Sequence, residues 1–179
     1  GSLRKGRMWA FTDQQQVFYA FTDTKEGKFP SQLLEGYAGE LLLVDGGSEF
    51  NRVTAEQELV RGGCWSHLRK RFFEALHHHP AEAHLALGTI RDLFLVERQI
   101  WGGSPDEVRA ERQARSRPLV DGLYAWMHAM SQVVRPESLL GKAIGYGRSQ
   151  EGRLREFLDH GELPIHNNLS ELMLRQTVV

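Results

Sequence analysis

The sequence predicts an α/β protein in which a sheet layer is followed by a long helical block. Three observations carry this. The first third is rich in aromatic runs of strand length. The stretch "ELLLVD" (40–45) is continuously apolar, as in an interior strand, and ends on Asp45 before two glycines. From Ser66 onward apolar residues recur at helical spacing with few breaks. The order strands, short helix, strands, helices points to one sheet layer with a helical insertion rather than to two unrelated domains.

Each element has its own signal. "RMWAFT" (7–12) and "QVFYAFT" (16–22), separated by "DQQ", predict an antiparallel hairpin. "FPSQLLEGY" (29–37), with proline near its start and glycine near its end, predicts a short helix. "ELVRGGC" (58–64) reads as a further short strand. Ser66 is a suitable N-cap for a helix whose Leu68, Phe72, Ala75 and Leu76 share a face. Three histidines (77–79) close that helix, where they meet the negative end of its dipole. In 80–101 the residues Leu85, Leu87, Ile90, Leu93, Phe94, Val96, Ile100 and Trp101 lie along a broad apolar face. Ser104 and Pro105 open the next helix, with acids in its first turn, and Pro118 kinks or divides it. One or two helices fill 136–161, "ELPIHNN" is a loop, and 169–176 begins a last helix.

Composition bounds the rest. With 179 residues, 41% hydrophobic and 25% charged, the chain suits one globular domain with an elaboration. No apolar run reaches the roughly 18 residues a membrane span needs. The single cysteine, Cys64, excludes an internal disulfide and fits a reducing compartment such as the cytoplasm. A net charge of −1 does not announce a nucleic-acid partner, so only local clusters argue for one.

The chemistry-bearing residues form a short set. Asp45 closes an apolar strand, where side chains converge on ligands in open α/β sheets, and Gly46 and Gly47 leave room beside it. The plainer alternative is an Asp-Gly turn. Cys64 and His67 have a C-x-x-H spacing, but a closed zinc site needs four ligands, and a small buried thiol is the simpler account. Arg61, Arg69, Lys70 and Arg71 make 61–71 the most basic segment, suited to phosphates or to a solvated helix face. Arg109, Arg112, Arg115 and Arg117 are a weaker basic cluster, with Glu107 and Glu111 near enough to pair. Asn167, Asn168 or Ser170 could cap the last helix, with Glu171 in its first turn.

Taken in order and spacing, "GRMWAF", "LLLVDGGSEFN", "GCWSHLRKRFFEA", "ERQARSRPLVDGLYAWM" and "LLGKAIGYGRSQEGRLREFLDHGELPIHNNLSE" resemble the insertion-sequence 66 family of bacterial DDE transposases, over nearly the whole chain. The resemblance implies an RNase-H-like core, its first strand missing, with a long all-helical insertion between the second and third acidic residues. The divisions it implies are 3–78 for the partial sheet and following helix, 79–160 for the insertion and 161–179 for the start of the C-terminal catalytic helix. It makes Asp45 the second acid and Glu171 the third, both catalytic and both ligands of Mg²⁺ or Mn²⁺ in the complete parent enzyme. Arg61, His67, Arg69, Lys70, Arg71, Asn167, Asn168 and Arg175 become candidate contacts to DNA, the transposon ends and target.

The departures shape the expectation. The family's first acid lies on a strand before "GRMWAF", and Asp13 and Asp23 are poor substitutes. The family usually has Asp where this chain has His166, Gly47 occupies a tyrosine-type position, and the last helix stops soon after Arg175. The expected identity is thus a fragment of a transposase catalytic domain, inactive alone. The alternative is a remnant that binds DNA or self-associates as a homo-oligomer without catalysis; no membrane is involved in either case.

Overall fold

A computed structural model of the chain describes residues 6–12, 17–24, 26 and 28–168. It is a mixed α/β structure of two compact units, one formed by 1–61 with 167–179 and the other by 62–166. The division between these units falls inside the last strand, between Arg61 and Gly62. The reason is the helix that follows, whose buried stripe packs on other helices of the second unit.

In the first unit β1 (Arg7–Thr12) pairs antiparallel with β2 (Val17–Thr22), Trp9 opposite Ala20 and Phe11 opposite Phe18. Trp9 is buried, its indole N–H donates to Thr22 Oγ1 at 2.7 Å, and its ring meets Phe50 edge-on at 5.8 Å. Met8, Tyr19 and Phe21, on the other face, are exposed. Helix α1 (Lys28–Leu33) precedes β3 (Leu41–Val44). A 3-10 turn (Ser48–Phe50) then leads into α2 (Asn51–Glu56), and β4 (Val60–Gly63) follows. Leu34, Val53 and Leu59 form the core here, with Phe11, Leu42 and Phe50 packed against it.

Two sequence expectations change. Among the described residues the strands form two two-stranded sheets, β1 with β2 and β3 with β4, rather than one layer. With one partner strand, β3 is not interior: Leu41, Leu42 and Leu43 are half-buried and only Val44 is buried. Helix α2 had no periodic signal, because six residues with a single buried one, Val53, are too few to show a stripe.

The second unit is helical. Helix α3 (Trp65–Ala75) buries Trp65, Leu68, Phe72 and Ala75. Its N-cap is Cys64, not Ser66, and the cap is tertiary: the Trp65 N–H donates to the Ile165 carbonyl at 3.0 Å. Helix α4 (Pro80–Gln99) buries Ala83, Ala86, Ile90, Leu93 and Val96, a narrower stripe than expected and partly built from alanine. Trp101 lies beyond its end and is 91% exposed. Helices α5 (Pro105–Glu111) and α6 (Arg117–Met130) are joined by a π-helical turn, Arg112–Ser116. Pro118 therefore neither breaks nor splits the rod. It follows a widened turn, which relieves the clash a proline ring makes with the carbonyl four residues before it. Helices α7 (Leu139–Ser149) and α8 (Glu151–Arg155) and a 3-10 turn (Glu156–Leu158) complete the unit, and 162–167 is a loop as expected. The last expected helix, 169–176, lies outside the described residues. No helix among the described residues is long and apolar enough to cross a membrane.

The helical unit closes on itself. Trp65 is tied to Ile165 through its backbone and to the Leu154 carbonyl through its indole N–H at 2.8 Å. Gly62 faces Leu163 so closely that a Cβ there would lie 2.7 Å from Leu163 Cδ2. The chain thus enters and leaves this unit at neighbouring points.

Candidate active site at the end of strand β3

The loop after β3 is built around two polar side chains. Asp45 is half-buried, and its Oδ1 accepts the Gly47 N–H at 3.0 Å, closing an Asx turn. Gly47 is extended (φ −62°, ψ 131°), so left-handed freedom is not why glycine stands there. Space is the reason: a Cβ on Gly47 would lie 2.9 Å from Asp45 Oδ1 and 2.7 Å from Glu49 Cδ. The same measurement brings Glu49 beside Asp45. The sequence reading passed over Glu49; its signal was a second carboxylate four residues on, across a glycine turn.

Arg61 is the second part. It is 7% exposed on β4 and points into the loop. Its Nη2 donates to the carbonyls of Asp45 (3.1 Å) and Gly47 (2.6 Å), and its Nη1 donates to Asn51 Oδ1. One guanidinium therefore ties the strand end, the turn and the start of α2 together. Charge-assisted bonds of this kind are stronger than neutral ones, and they leave the loop little freedom. Asp45 makes no ion pair with another described residue.

The remaining candidates are spread along α3 and the loop 162–168. His67 is half-buried in the first turn of α3. Arg69, Lys70 and Arg71 are exposed, and Arg71 lies over the Tyr146 ring at 4.2 Å. Asn167 is half-buried and Asn168 exposed. His166 stacks on Phe94, ring centroids 5.5 Å apart. Glu171 and Arg175 lie outside the described residues. Cys64 is buried and free, and among the described residues no group of three or more His, Cys, Asp and Glu side chains could hold a metal ion.

The second basic cluster is spoken for within the helical unit. Arg109 pairs with Asp106, Arg115 with Glu111 and Arg117 with Asp159, while Arg112 is buried against Glu97. Glu107 does not pair with an arginine. It forms a capping box with Ser104, and the bonds from the Ser104 backbone N–H and hydroxyl hold its carboxyl below the usual range.

The description "Transposase IS66 family" matches residues 1–179. The chain belongs to that family. Among curated proteins, this IS66-family chain is similar to the uncharacterized proteins y4hP and y4jD of Sinorhizobium fredii (strain NBRC 101917 / NGR234). It is 26% identical to y4hP over 201 residues, covering 97% of this chain and 36% of the relative. To y4jD it is 24% identical over 180 residues, covering 97% of this chain and 35% of the relative. The chain thus spans about a third of the length of the curated relatives it matches. No solved structure matches it.

The donor chemistry at Asp45 fits a hard divalent cation in part. Such ions take carboxylate oxygens, and Asp45 offers one on a braced loop. The other acid named for the site, Glu171, is beyond the described residues.

Proposed function

We propose that this chain carries part of the catalytic domain of a DNA transposase, on an RNase-H-like core, and that the whole protein cuts and joins DNA strands by metal-assisted phosphoryl transfer. Family membership supports the transposase class. The observation that carries the placement is a carboxylate at a strand end on a loop braced by a buried arginine. Asp45 and Glu171 would hold a Mg²⁺ or Mn²⁺ pair, which when bound activates a water or a DNA 3′-hydroxyl and steadies the leaving oxygen.

The protein's own groups have separable tasks. Asp45 presents an oxygen without reorganising, because Arg61 and the Asx turn already fix the backbone that bears it. The missing side chain at Gly47 leaves room for the Asp45 and Glu49 carboxylates to lie beside the turn. Arg69 and Lys70, exposed on one helix, supply phosphate contacts that position DNA without reading its sequence. His67 and Arg71 on the same helix and, separately, Asn167, Asn168 and Arg175 are the remaining candidate DNA contacts. Arg61, both terminal nitrogens committed to the loop, acts as a brace.

The deciding experiment is strand transfer by the whole protein on DNA bearing the element's ends, with Mg²⁺. Asp45→Asn and Glu171→Gln are each expected to lower the rate on the order of 10³-fold or more, as losses of groups at reacting atoms do, with DNA binding retained. Full activity in either variant removes that residue from the site. The isolated chain is expected not to transfer strands, two carboxylates being too few for a two-metal site.

The exposure of Arg69 and Lys70 also supports a second reading, in which the isolated chain binds DNA or self-associates without catalysis. Binding whose salt dependence weakens when Arg69, Lys70 and Arg71 become alanine is the expected sign. Binding indifferent to those changes would count against it.

A further inference from the structure

Arg112 lies at the start of the π turn with its side chain 4% exposed, and Glu97 on α4, 15% exposed, is its ion-pair partner. The guanidinium divides its donors between two tasks. Nε and Nη2 fork onto the two Glu97 oxygens at 2.8 and 2.6 Å. Nη1 faces a cluster of backbone carbonyls: Phe157 at 2.9 Å, His160 at 2.9 Å, Leu163 at 3.0 Å and, more distantly, Gly161 at 3.4 Å. The Phe157 ring lies against the guanidinium, centroid 5.2 Å away. These carbonyls belong to the end of the 3-10 turn and the loop after it, groups that a helix terminus leaves without partners. The loop has little regular structure of its own, and its described backbone bonds are Asp159 to Glu156, His160 to Glu156 and Leu163 to His160. Arg112 gathers the carbonyls of Phe157, His160 and Leu163, while its neighbour Gln113 donates to the Leu158 carbonyl at 2.8 Å and to Asp159 Oδ1 at 2.7 Å.

The position of Arg112 in the rod is part of the device. Val108, Arg112, Ser116, Val120 and Tyr124 recur every fourth residue and all are buried. A regular α-helix would drift off the face over so many steps, and the π turn between α5 and α6 resets the phase. Two polar residues, Arg112 and Ser116, thereby share the buried face with Val108 and Val120.

We propose that Arg112 is a positioning residue, the latch by which the helical unit sets the course of the segment Phe157–Leu163 that leads to Asn167 and Asn168. The latch itself stands on geometry alone; its bearing on strand transfer rests on the function proposed above. Glu97 holds the charge in place, and the carbonyl cluster is what the charge holds. A lysine cannot do both, because its three donors radiate from one nitrogen and lack the planar fork.

Hydrogen exchange on the full chain tests this. With Arg112→Lys, and with the paired change Glu97→Met/Arg112→Met, peptides covering 157–166 are expected to exchange at least about tenfold faster through local opening. Peptides from α4, α6 and α7 are expected to stay at the unmodified rate. The paired change avoids stranding a buried carboxylate, so it keeps the test open should the lysine variant fold poorly. Glu97→Gln, which leaves the carbonyl contacts in place, is expected to free the segment much less. Uniform acceleration across all helices, no change at 157–166, or a Glu97→Gln effect as large as that of Arg112→Lys would each overturn the proposal. In the whole protein, Arg112→Lys is expected to lower the strand-transfer rate. A parent without strand transfer would sink the proposed function and leave the exchange result standing.

Discussion

Asp45 commits one of its two oxygens to the turn. That oxygen accepts from Gly47, and Asp45 makes no ion pair with another described residue. Asparagine keeps the turn acceptor and removes the charge. Asp45→Asn is therefore expected to change stability by no more than about 0.5 kcal/mol, as surface changes do, in a urea titration that also scores strand transfer by the whole protein. Arg61 is the opposite case. Arg61→Ala would strand the carbonyls of Asp45 and Gly47 and the Asn51 side chain. A loss of about 2–3 kcal/mol is expected, given the cost of buried polar groups left unpaired. An unchanged urea midpoint would show that the loop does not need its brace. From the sequence, Arg61 and Arg69 were equivalent members of a basic run. Nothing local distinguishes an arginine turned inward from one turned to solvent, because the acceptors that draw Arg61 in lie 10 to 16 residues away.

Among the elements, α5 offers the clearest pH response. The Glu107 carboxylate accepts from the Ser104 backbone N–H at 2.9 Å and from its hydroxyl at 2.8 Å, and its pKa falls below the ordinary 4.5. A depressed pKa in the folded state means the capping contribution is present above 4.5 and lost as pH falls through the lower folded value. Amide protection at the start of α5 is thus expected to decline below about pH 4.5, the ordinary carboxyl range. Glu107→Gln, which can still reach back to the Ser104 N–H, is expected to remove that decline; persistence of the acid response in the glutamine variant would exclude the capping box as its source. Close approach makes a second contrast. A Cβ on Gly161 would overlap the backbone of Pro105, whereas one on Gly62 meets only the tip of Leu163. Gly161→Ala is expected to cost about 1–3 kcal/mol by overpacking, and Gly62→Ala less, since a leucine tip can rotate. Equal losses in thermal melts would contradict the distinction. The sequence showed the long helices plainly, since each carries several buried residues in phase. It missed α2, whose six residues are held by packing among Leu34, Val53 and Leu59 rather than by any pattern of their own.

At the scale of the whole chain, the helical unit is a loop of fold that returns to its origin. Trp65 bonds to Ile165 and Leu154, and Gly62 packs on Leu163, so the two ends of 62–166 are tied within that unit. A unit with its own core and joined ends can be excised. Residues 62–166 expressed alone are expected to unfold cooperatively, with tryptophan fluorescence and helical circular dichroism changing together. Non-coincident transitions would show that the unit borrows stability from the remainder.

The sequence by itself determined the α/β character, the strand carrying Asp45, the run of helices and the family, because each is written in local spacing or in an ordered set of motifs. Tertiary structure decided which charges stay exposed and which are fasteners. Arg61 and Arg112 look like phosphate ligands in one dimension, yet each spends its donors on carbonyls and side chains that only folding brings near. The closed ends of the helical unit and the cap on α3 share that origin. All depend on partners distant along the chain, whose proximity no local period encodes.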